Sequence, residues 1–86
     1  MDIPTLNKMV QLVETHQDLA EFMVVLRQYL HDDPGDWENP TLDRYLDAMS
    51  RWTKTMESYY HWRDEEMPKN PSWKTFAMIL IAATYE

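Results

Sequence analysis

The stretch that decides the fold is Trp37-Glu38-Asn39-Pro40-Thr41-Leu42. Asparagine is a common N-cap residue and proline is tolerated in the first helical turn, so Asn39 and Pro40 predict the start of a helix. From Leu42 onward, apolar side chains recur every three or four residues, which predicts one long amphipathic helix over about residues 40–62. We expect the other segments of the chain to pack against this helix.

The same start signal occurs again near the end of the chain, at Asn70-Pro71-Ser72-Trp73. It predicts a last helix over about residues 71–85. This helix is apolar on nearly all sides, because Met78, Ile79 and Ile81 extend the apolar stripe around it. A helix with this pattern is expected to be the most buried one, or to meet a partner.

Two further helices are predicted ahead of the deciding stretch. Pro4 suits a first helical turn, and Thr15 followed by Asp18 forms a weak capping box at the start of the second helix. Pro34 and Gly35 end that helix in a turn. Because the connections are short, we predict an all-α fold, a small antiparallel helical bundle in a single domain over residues 1–86. Its four segments are about 4–14, 16–31, 40–62 and 71–85.

Composition limits the classes of function. Fifteen Asp and Glu against eight Lys and Arg give a net charge of −7, which argues against direct nucleic-acid binding and favours a basic protein partner. The absence of Cys excludes disulfides and zinc-thiolate sites. Met1-Asp2-Ile3-Pro4 lacks the basic start of a secretion signal, and no apolar run is long enough to span a bilayer. We therefore expect a cytoplasmic protein without a membrane partner.

Catalytic constellations are missing from the sequence. His16, His31 and His61 are dispersed, and no Ser has the Gly-x-Ser-x-Gly setting of a hydrolase nucleophile. A single Gly excludes the glycine-rich phosphate loops. We expect no enzyme activity, no cofactor and no metal.

Acidic residues surround the start of the predicted third helix, and three interpretations of them remain open. The first is a solvated loop whose charges favour the helix N-terminus. The second is a calcium site, which is disfavoured because the spacing is not Asp-x-Asp-x-Asp-Gly with a Glu at the twelfth position. The third is an acidic surface for a basic protein partner. The residues are Asp32, Asp33, Asp36, Glu38, Asp43 and Asp47.

Two tryptophans each have two interpretations. Trp62 lies at the edge of the apolar stripe, where it would either anchor an interface or pack beneath the polar connector that follows. Trp37 lies just ahead of the predicted cap, where it would either meet a partner or make a staple-like contact with the third or fourth helix. The staple-like contact is the favoured interpretation of Trp37.

Three parts of the sequence are similar to a known family: Trp37-Glu38-Asn39, the helix after it, and the terminal segment from Asn70 to Glu86. They resemble a family of small bacterial proteins of unknown function with a Trp-Glu-Asn motif and a C-terminal Asn-Pro-(Ser)-Trp-Lys-x-Phe-Ala…Tyr-Glu segment. The resemblance covers about the C-terminal fifty residues and implies no activity or cofactor. The small, acidic character of these proteins is similar to that of immunity and inhibitor proteins.

The leading hypothesis is a non-catalytic, acidic protein-binding module. It would be an inhibitor or immunity-type protein that covers a basic site on its partner, including a site that binds nucleic acid. The alternatives are a structural domain that forms a homo-oligomer through the last helix, and a metal- or ligand-binding sensor. The predicted partner-binding residues are Asp32, Asp33, Asp36, Trp37, Glu38, Asp43, Asp47 and Trp62.

Overall fold

A computed structural model describes residues 3–86. These residues form α-helices and one short 3-10 helix, joined by turns and irregular segments. No strand occurs in this part of the chain, so the predicted all-α class is confirmed. Met1 and Asp2, which enter the prediction that no secretion signal is present, lie outside the described residues. The elements are α1 (Ile3–Gln11), α2 (His16–Asp32), a 3-10 turn (Pro34–Asp36), α3 (Leu42–Lys54), α4 (Met56–Trp62) and α5 (Trp73–Tyr85).

Helix α5 lies at the centre of the fold. Helices α1, α2 and α3 each pack mainly on α5. Ala77, Ala82 and Ala83 are small and fully buried, so neighbouring helices approach the α5 backbone closely. This arrangement confirms the prediction that the last helix is the most buried one.

The main apolar core joins α1, α2 and α5. It is completed by Val13, in the turn after α1, and partly buried side chains such as Met9, Val25 and Trp37 pack around it. Burial of these side chains is the main favourable term that holds the three helices together. The buried members are Leu6, Val10, Val13, Leu19, Phe22, Leu26, Tyr29, Ala77 and Ile81.

The predicted capping box at the start of α2 is confirmed in full. The Thr15 hydroxyl accepts from the Asp18 amide at 3.1 Å, and the Asp18 carboxylate accepts from the Thr15 amide at 3.2 Å. A further bond from the Glu14 amide contributes most to lowering the pKa of the Asp18 carboxyl below its ordinary value. Helix α1 ends at Gln11, earlier than predicted, and a turn over residues 12–15 separates it from α2.

The prediction that Asn39 and Pro40 start the third helix is wrong. The N-cap of α3 is Thr41, whose hydroxyl accepts from the Arg44 amide at 3.2 Å. The second Asn-Pro signal is displaced in the same way, because the N-cap of α5 is Ser72. In each case the hydroxyl residue after the proline makes the cap.

The predicted long helix over residues 40–62 is also wrong, because it is broken at Thr55. The backbone there departs from helical geometry, with φ −111° and ψ 14°. The Thr55 hydroxyl donates to the Arg51 carbonyl at 3.1 Å. A threonine that bonds to the carbonyl four residues earlier bends helices, and here the chain continues as the separate helix α4. The described residues thus form five α-helices in place of the expected four segments.

Leu42 does not open a core stripe, contrary to the prediction. Its side chain is 73% exposed, and Leu46 one turn later is 52% exposed. Helix α3 has one main neighbour, α5, which it meets through Tyr45 and Ala48. One neighbouring helix covers only part of a broad apolar stripe, so the flank that carries Leu42 and Leu46 stays in solvent.

Candidate partner-binding surface

The segment ahead of α3 is tied by its backbone and by one buried side chain to the end of α5. The Glu38 amide donates to the Thr84 carbonyl at 3.0 Å, and Asn39 Nδ2 donates to the Ala83 carbonyl, also at 3.0 Å. The last four carbonyls of a helix have no partner within the helix, so these two bonds satisfy groups that would otherwise be unpaired. Glu38 and Asn39 therefore close the C-terminus of α5, while Thr41 in the same stretch caps α3.

Arg44 holds the same segment from the other side. Its Nη2 donates to the Glu38 carbonyl at 2.6 Å, while its amide is bound by Thr41. Because both the amide and the carbonyl of Glu38 are hydrogen-bonded, the backbone between the 3-10 turn and α3 has a defined position. Exposed carboxylates carried by this segment are thus presented from a fixed backbone.

Trp37 packs between two tyrosine rings. The ring centroids of Tyr29 and Tyr45 each lie 5.8 Å from that of Trp37. Tyr45 also donates its hydroxyl to the Leu80 carbonyl at 2.7 Å, and burial raises the pKa of Tyr45 to about 12. Trp37 is half-buried and contacts α3 through Tyr45, as the staple-like interpretation expects. A contact of Trp37 with a partner stays a prediction.

The six predicted acidic residues differ in their surroundings. Asp32 accepts from Gln28 at 2.9 Å, and Asp36 accepts from the Tyr29 hydroxyl at 3.3 Å. Asp47 pairs with Arg51 at 3.0 Å on the exposed side of α3. The remaining three are Glu38 and Asp43, which are exposed, and Asp33, which is half-buried.

These acids are spread along the surface rather than gathered around one point. Within residues 3–86, no three side chains of the metal-ligating types lie close enough together to hold a metal ion. Glu38 and Asp43 enter none of the ion pairs or side-chain hydrogen bonds formed by the described residues, and their carboxylates face solvent. The arrangement is suited to contacts with cationic groups spread over a partner surface.

Trp62 is the most exposed large apolar side chain among the described residues, at 85%. It is the last residue of α4, which ends in a defined geometry. The Glu65 amide donates to the Tyr60 carbonyl at 2.8 Å, and Asp64 adopts φ 58°, in the left-handed region. This is the Schellman arrangement of a helix C-terminus, with Asp at the position usually taken by Gly. Trp62 therefore projects from a well-formed helix end and not from an irregular loop.

An apolar groove runs between α2 and α3, with α5 as its floor. Its volume is about 310 Å³. Trp73 and Phe76 remain 44% and 42% exposed on the floor, and Met23 is 47% exposed on the α2 wall. This apolar groove is lined by Leu19, Met23, Met49, Trp73, Phe76, Ile79 and Leu80.

The predictions from the sequence did not include this groove. Met23 and Met49 have the helical phase of the apolar faces of α2 and α3, which is the phase expected of core residues. The apolar character of α5 could have indicated an uncovered surface, because it extends over more sides of the helix than the neighbouring helices cover. The sequence does not show which side is left open.

Comparison with known proteins identifies a family. A model described as a family of unknown function, DUF7660, matches residues 15–86. The chain belongs to this family. The match begins at the N-cap of α2, so every element of the candidate surface lies inside it and α1 lies before it.

The sequence-based resemblance to an uncharacterised family agrees with this membership, while the Trp-Glu-Asn motif and the bacterial origin stay predictions. No curated protein and no solved structure matches the chain. Among residues 3–86, no helix has the length and apolar character needed to cross a membrane.

Proposed function

We propose that this chain is a non-catalytic protein-binding module that covers a basic site on a partner protein, as an inhibitor or immunity-type protein does. The observation that carries the proposal is the fixed presentation of Glu38 and Asp43. Both carboxylates are exposed. The Glu38 backbone is bonded to α5 and to Arg44, and Asp43 lies in the first turn of α3. A backbone that is already fixed loses little further conformational freedom when a cationic partner binds the carboxylates it carries.

The surroundings of these two acids support the same function. Asp36 lies just before them and Asp47 one turn after Asp43, so acidic side chains continue on both sides. Leu42 and Leu46 add exposed apolar contact area beside Asp43 and Asp47. A polar rim around an apolar centre is the usual composition of a protein–protein interface. The net charge of −7 favours a basic partner through long-range attraction.

A pull-down with matched charge variants tests the proposal. The bait proteins are the wild type, the double variant Glu38→Gln/Asp43→Asn and the control Glu14→Gln/Glu21→Gln. Both variants remove two negative charges, but Glu14 and Glu21 lie away from the deciding stretch, before and within α2. Each bait is exposed to lysate of the source cell at about 0.1 M and about 1 M salt, where the Debye length falls from roughly 10 to 3 Å.

We expect a partner that the wild type and the control retain at low salt and that the double variant loses. High salt should release it from the wild type and from the control, because the attraction between exposed charges is screened. Thermal unfolding of the double variant should match that of the wild type. Equal retention by all three baits at both salt concentrations would contradict the proposal, and so would unfolding caused by the double substitution.

A further inference from the structure

A polar cleft lies between α1, α4 and the end of α5. Its volume is about 410 Å³, which is within the range of small-molecule pockets. A narrower extension of about 90 Å³ adjoins it and is lined in part by Trp52, Met78 and Ile81. Tyr59 and Tyr85 line both spaces, so the extension continues the cleft. The polar cleft itself is lined by Asn7, Lys8, Gln11, Tyr59, Arg63 and Tyr85.

The residues that line the polar cleft share one chemical property. Each of the six side chains can donate a hydrogen bond, and none is a carboxylate. This composition contrasts with the chain as a whole, in which fifteen Asp and Glu stand against eight Lys and Arg. Lys8 lies on α1 and Arg63 directly follows α4, so the fold brings two cations from distant parts of the sequence to one space. Such a set of donors is suited to an anionic acceptor.

Most of these donors have no partner within the protein. Among the side-chain hydrogen bonds and ion pairs formed by residues 3–86, the six residues enter one, from Arg63 Nε to Glu65 at 3.3 Å. Both side chains of this pair are about half-exposed, so the pair contributes little stability. Arg63 keeps both Nη groups for a ligand, and a guanidinium can bind two oxygens of one carboxylate or phosphate group.

Tyr59 adds a ring whose position is fixed by its neighbours. Its centroid lies 5.7 Å from that of Trp52 and 5.2 Å from that of Tyr60. The Arg63 guanidinium lies 5.4 Å from the same centroid, so the contact also places this cation. Tyr85 supplies a second ring and is 43% exposed. Rings that are partly open to solvent offer contact area to a planar group of a ligand.

One carboxylate determines which part of the cleft suits an anion. Glu86 lines the narrow extension but not the main space. Its charge would repel an anionic group in the extension, whereas Lys8 and Arg63 would attract one in the main space. The net charge of −7 opposes anion binding at long range, but at about 0.1 M salt exposed charges are screened beyond roughly 10 Å. The nearby donors therefore decide the affinity.

We propose that the polar cleft binds a small anion that carries a planar ring, with its oxyanion group on Lys8 and Arg63 and its ring against Tyr59 and Tyr85. The ring would extend toward Trp52, away from the two cations. This inference does not rest on the proposed function, because no residue that lines the cleft is among the predicted partner-binding residues.

Two anions and their neutral counterparts serve as probes. Adenosine monophosphate carries a phosphate and indole-3-acetate carries a carboxylate, and each anionic group is attached to a planar ring system. Adenosine and indole-3-acetamide keep the rings and lack the charge. Each probe is titrated into the isotope-labelled full chain, and the shifts of the backbone amide resonances give both the affinity and the location of binding.

Four charge variants test the assigned contacts. Lys8→Gln and Arg63→Gln each remove one positive charge from the cleft. Arg27→Gln is the matched control, because it removes one positive charge from an exposed position on α2, a helix that lines neither space. Glu86→Gln removes the carboxylate of the extension. Lys8 is exposed on α1, so its variant tests the cleft even if Arg63→Gln impairs folding.

We expect at least one of the two anions to shift the resonances of Asn7, Lys8 and Tyr85 and to bind at least about fivefold more tightly than its neutral counterpart. Lys8→Gln and Arg63→Gln should each weaken this binding by about fivefold or more, because each removes a charged donor. Arg27→Gln should change it by less than about twofold. Glu86→Gln should strengthen it by about twofold, because a repelling charge is removed.

A pair of ring variants tests the second part of the ligand. Tyr85→Leu should weaken binding of the anion by about threefold, because the ligand loses one ring contact. Trp62→Leu is the control, since it removes an exposed ring that lines neither space, and it should leave the affinity unchanged. Equal effects of the two substitutions would contradict the assigned ring contact.

Three outcomes would overturn the inference as a whole. The first is the absence of saturable shifts with either anion up to about 10 mM. The second is equal binding of both anions and their neutral counterparts, and the third is a loss in Arg27→Gln as large as that in Lys8→Gln. Binding of adenosine monophosphate alone would support the proposal with phosphate as the oxyanion, and binding of indole-3-acetate alone would support it with carboxylate.

Discussion

Asn39 and Ala83, separated by 44 residues in the chain, are joined by a buried hydrogen bond of 3.0 Å from the Asn39 side chain to the Ala83 carbonyl. The bond lies beside the one from the Glu38 amide to the Thr84 carbonyl. Together they fasten the segment ahead of α3 to the last turn of α5. The positions of the Glu38 and Asp43 carboxylates depend on this connection, because Glu38 belongs to the fastened segment and Asp43 lies at the start of the helix that follows it.

Asn39→Ala should lower the free energy of unfolding by about 1–3 kcal/mol, because the Ala83 carbonyl loses its donor in a buried place. Asn70→Ala is the matched control, since Asn70 also precedes a proline but is exposed. Its effect should stay within about 0.5 kcal/mol. Urea unfolding of both variants measures the difference. Equal losses would mean that the Asn-Pro signal acts locally and that the bond to Ala83 contributes nothing.

Thr41→Ala and Ser72→Ala should each cost about 1 kcal/mol of stability, because each removes the hydroxyl that caps a helix. The two caps belong to different helices, so their effects should add in the double variant to within about 0.5 kcal/mol. Thr53→Ala, an exposed threonine inside α3, controls for the loss of a hydroxyl that makes no cap. Chemical denaturation would contradict the assignment if Thr53→Ala cost as much as either cap variant.

The two tryptophans predicted to bind a partner should respond in opposite ways. Trp37→Ala should destabilise the fold by about 3 kcal/mol, because it removes the ring packed between Tyr29 and Tyr45. Trp62→Ala should change stability by less than about 0.5 kcal/mol, because the side chain is 85% exposed. The same Trp62 variant should retain less partner in the pull-down at low salt. Full retention would remove Trp62 from the proposed interface.

Stability should fall between pH about 10 and about 12. Burial raises the pKa of Tyr45 to about 12 in the folded state, whereas a tyrosine in an unfolded chain titrates near pH 10. The folded state therefore binds this proton more tightly, so its contribution is complete below pH about 10 and is lost as the pH rises toward 12. Burial also raises the pKa of Tyr60 and of Tyr85, which adds to the same trend.

Tyr45→Phe should make this alkaline loss of stability smaller without abolishing it. At neutral pH the variant should lose about 1 kcal/mol, because the hydrogen bond to the Leu80 carbonyl is absent. The free energy of unfolding, measured with urea at pH 8, 10 and about 11, separates the two effects. An unchanged alkaline slope in Tyr45→Phe would show that the burial of Tyr45 is not its cause.

Several features of this protein follow from the sequence by itself. The all-α class and the capping box at Thr15 and Asp18 depend on side chains within one or two turns of each other, and such local signals can be recognised in the chain. The central burial of α5 follows from its apolar composition. The charge of −7 and the acids around residue 38 require no structure at all.

The tertiary structure decided which of two polar residues, on either side of Pro40, caps α3 and which apolar helix faces remain uncovered. Asn39 and Thr41 are both suitable N-cap residues. Thr41 caps α3 because the Asn39 side chain is hydrogen-bonded to the Ala83 carbonyl of α5. Leu42 and Phe76 have the helical phase of core residues, yet they are 73% and 42% exposed because the neighbouring helices do not cover them completely. Periodicity shows that a face is apolar, whereas its burial depends on long-range packing. The apolar groove is the product of that packing.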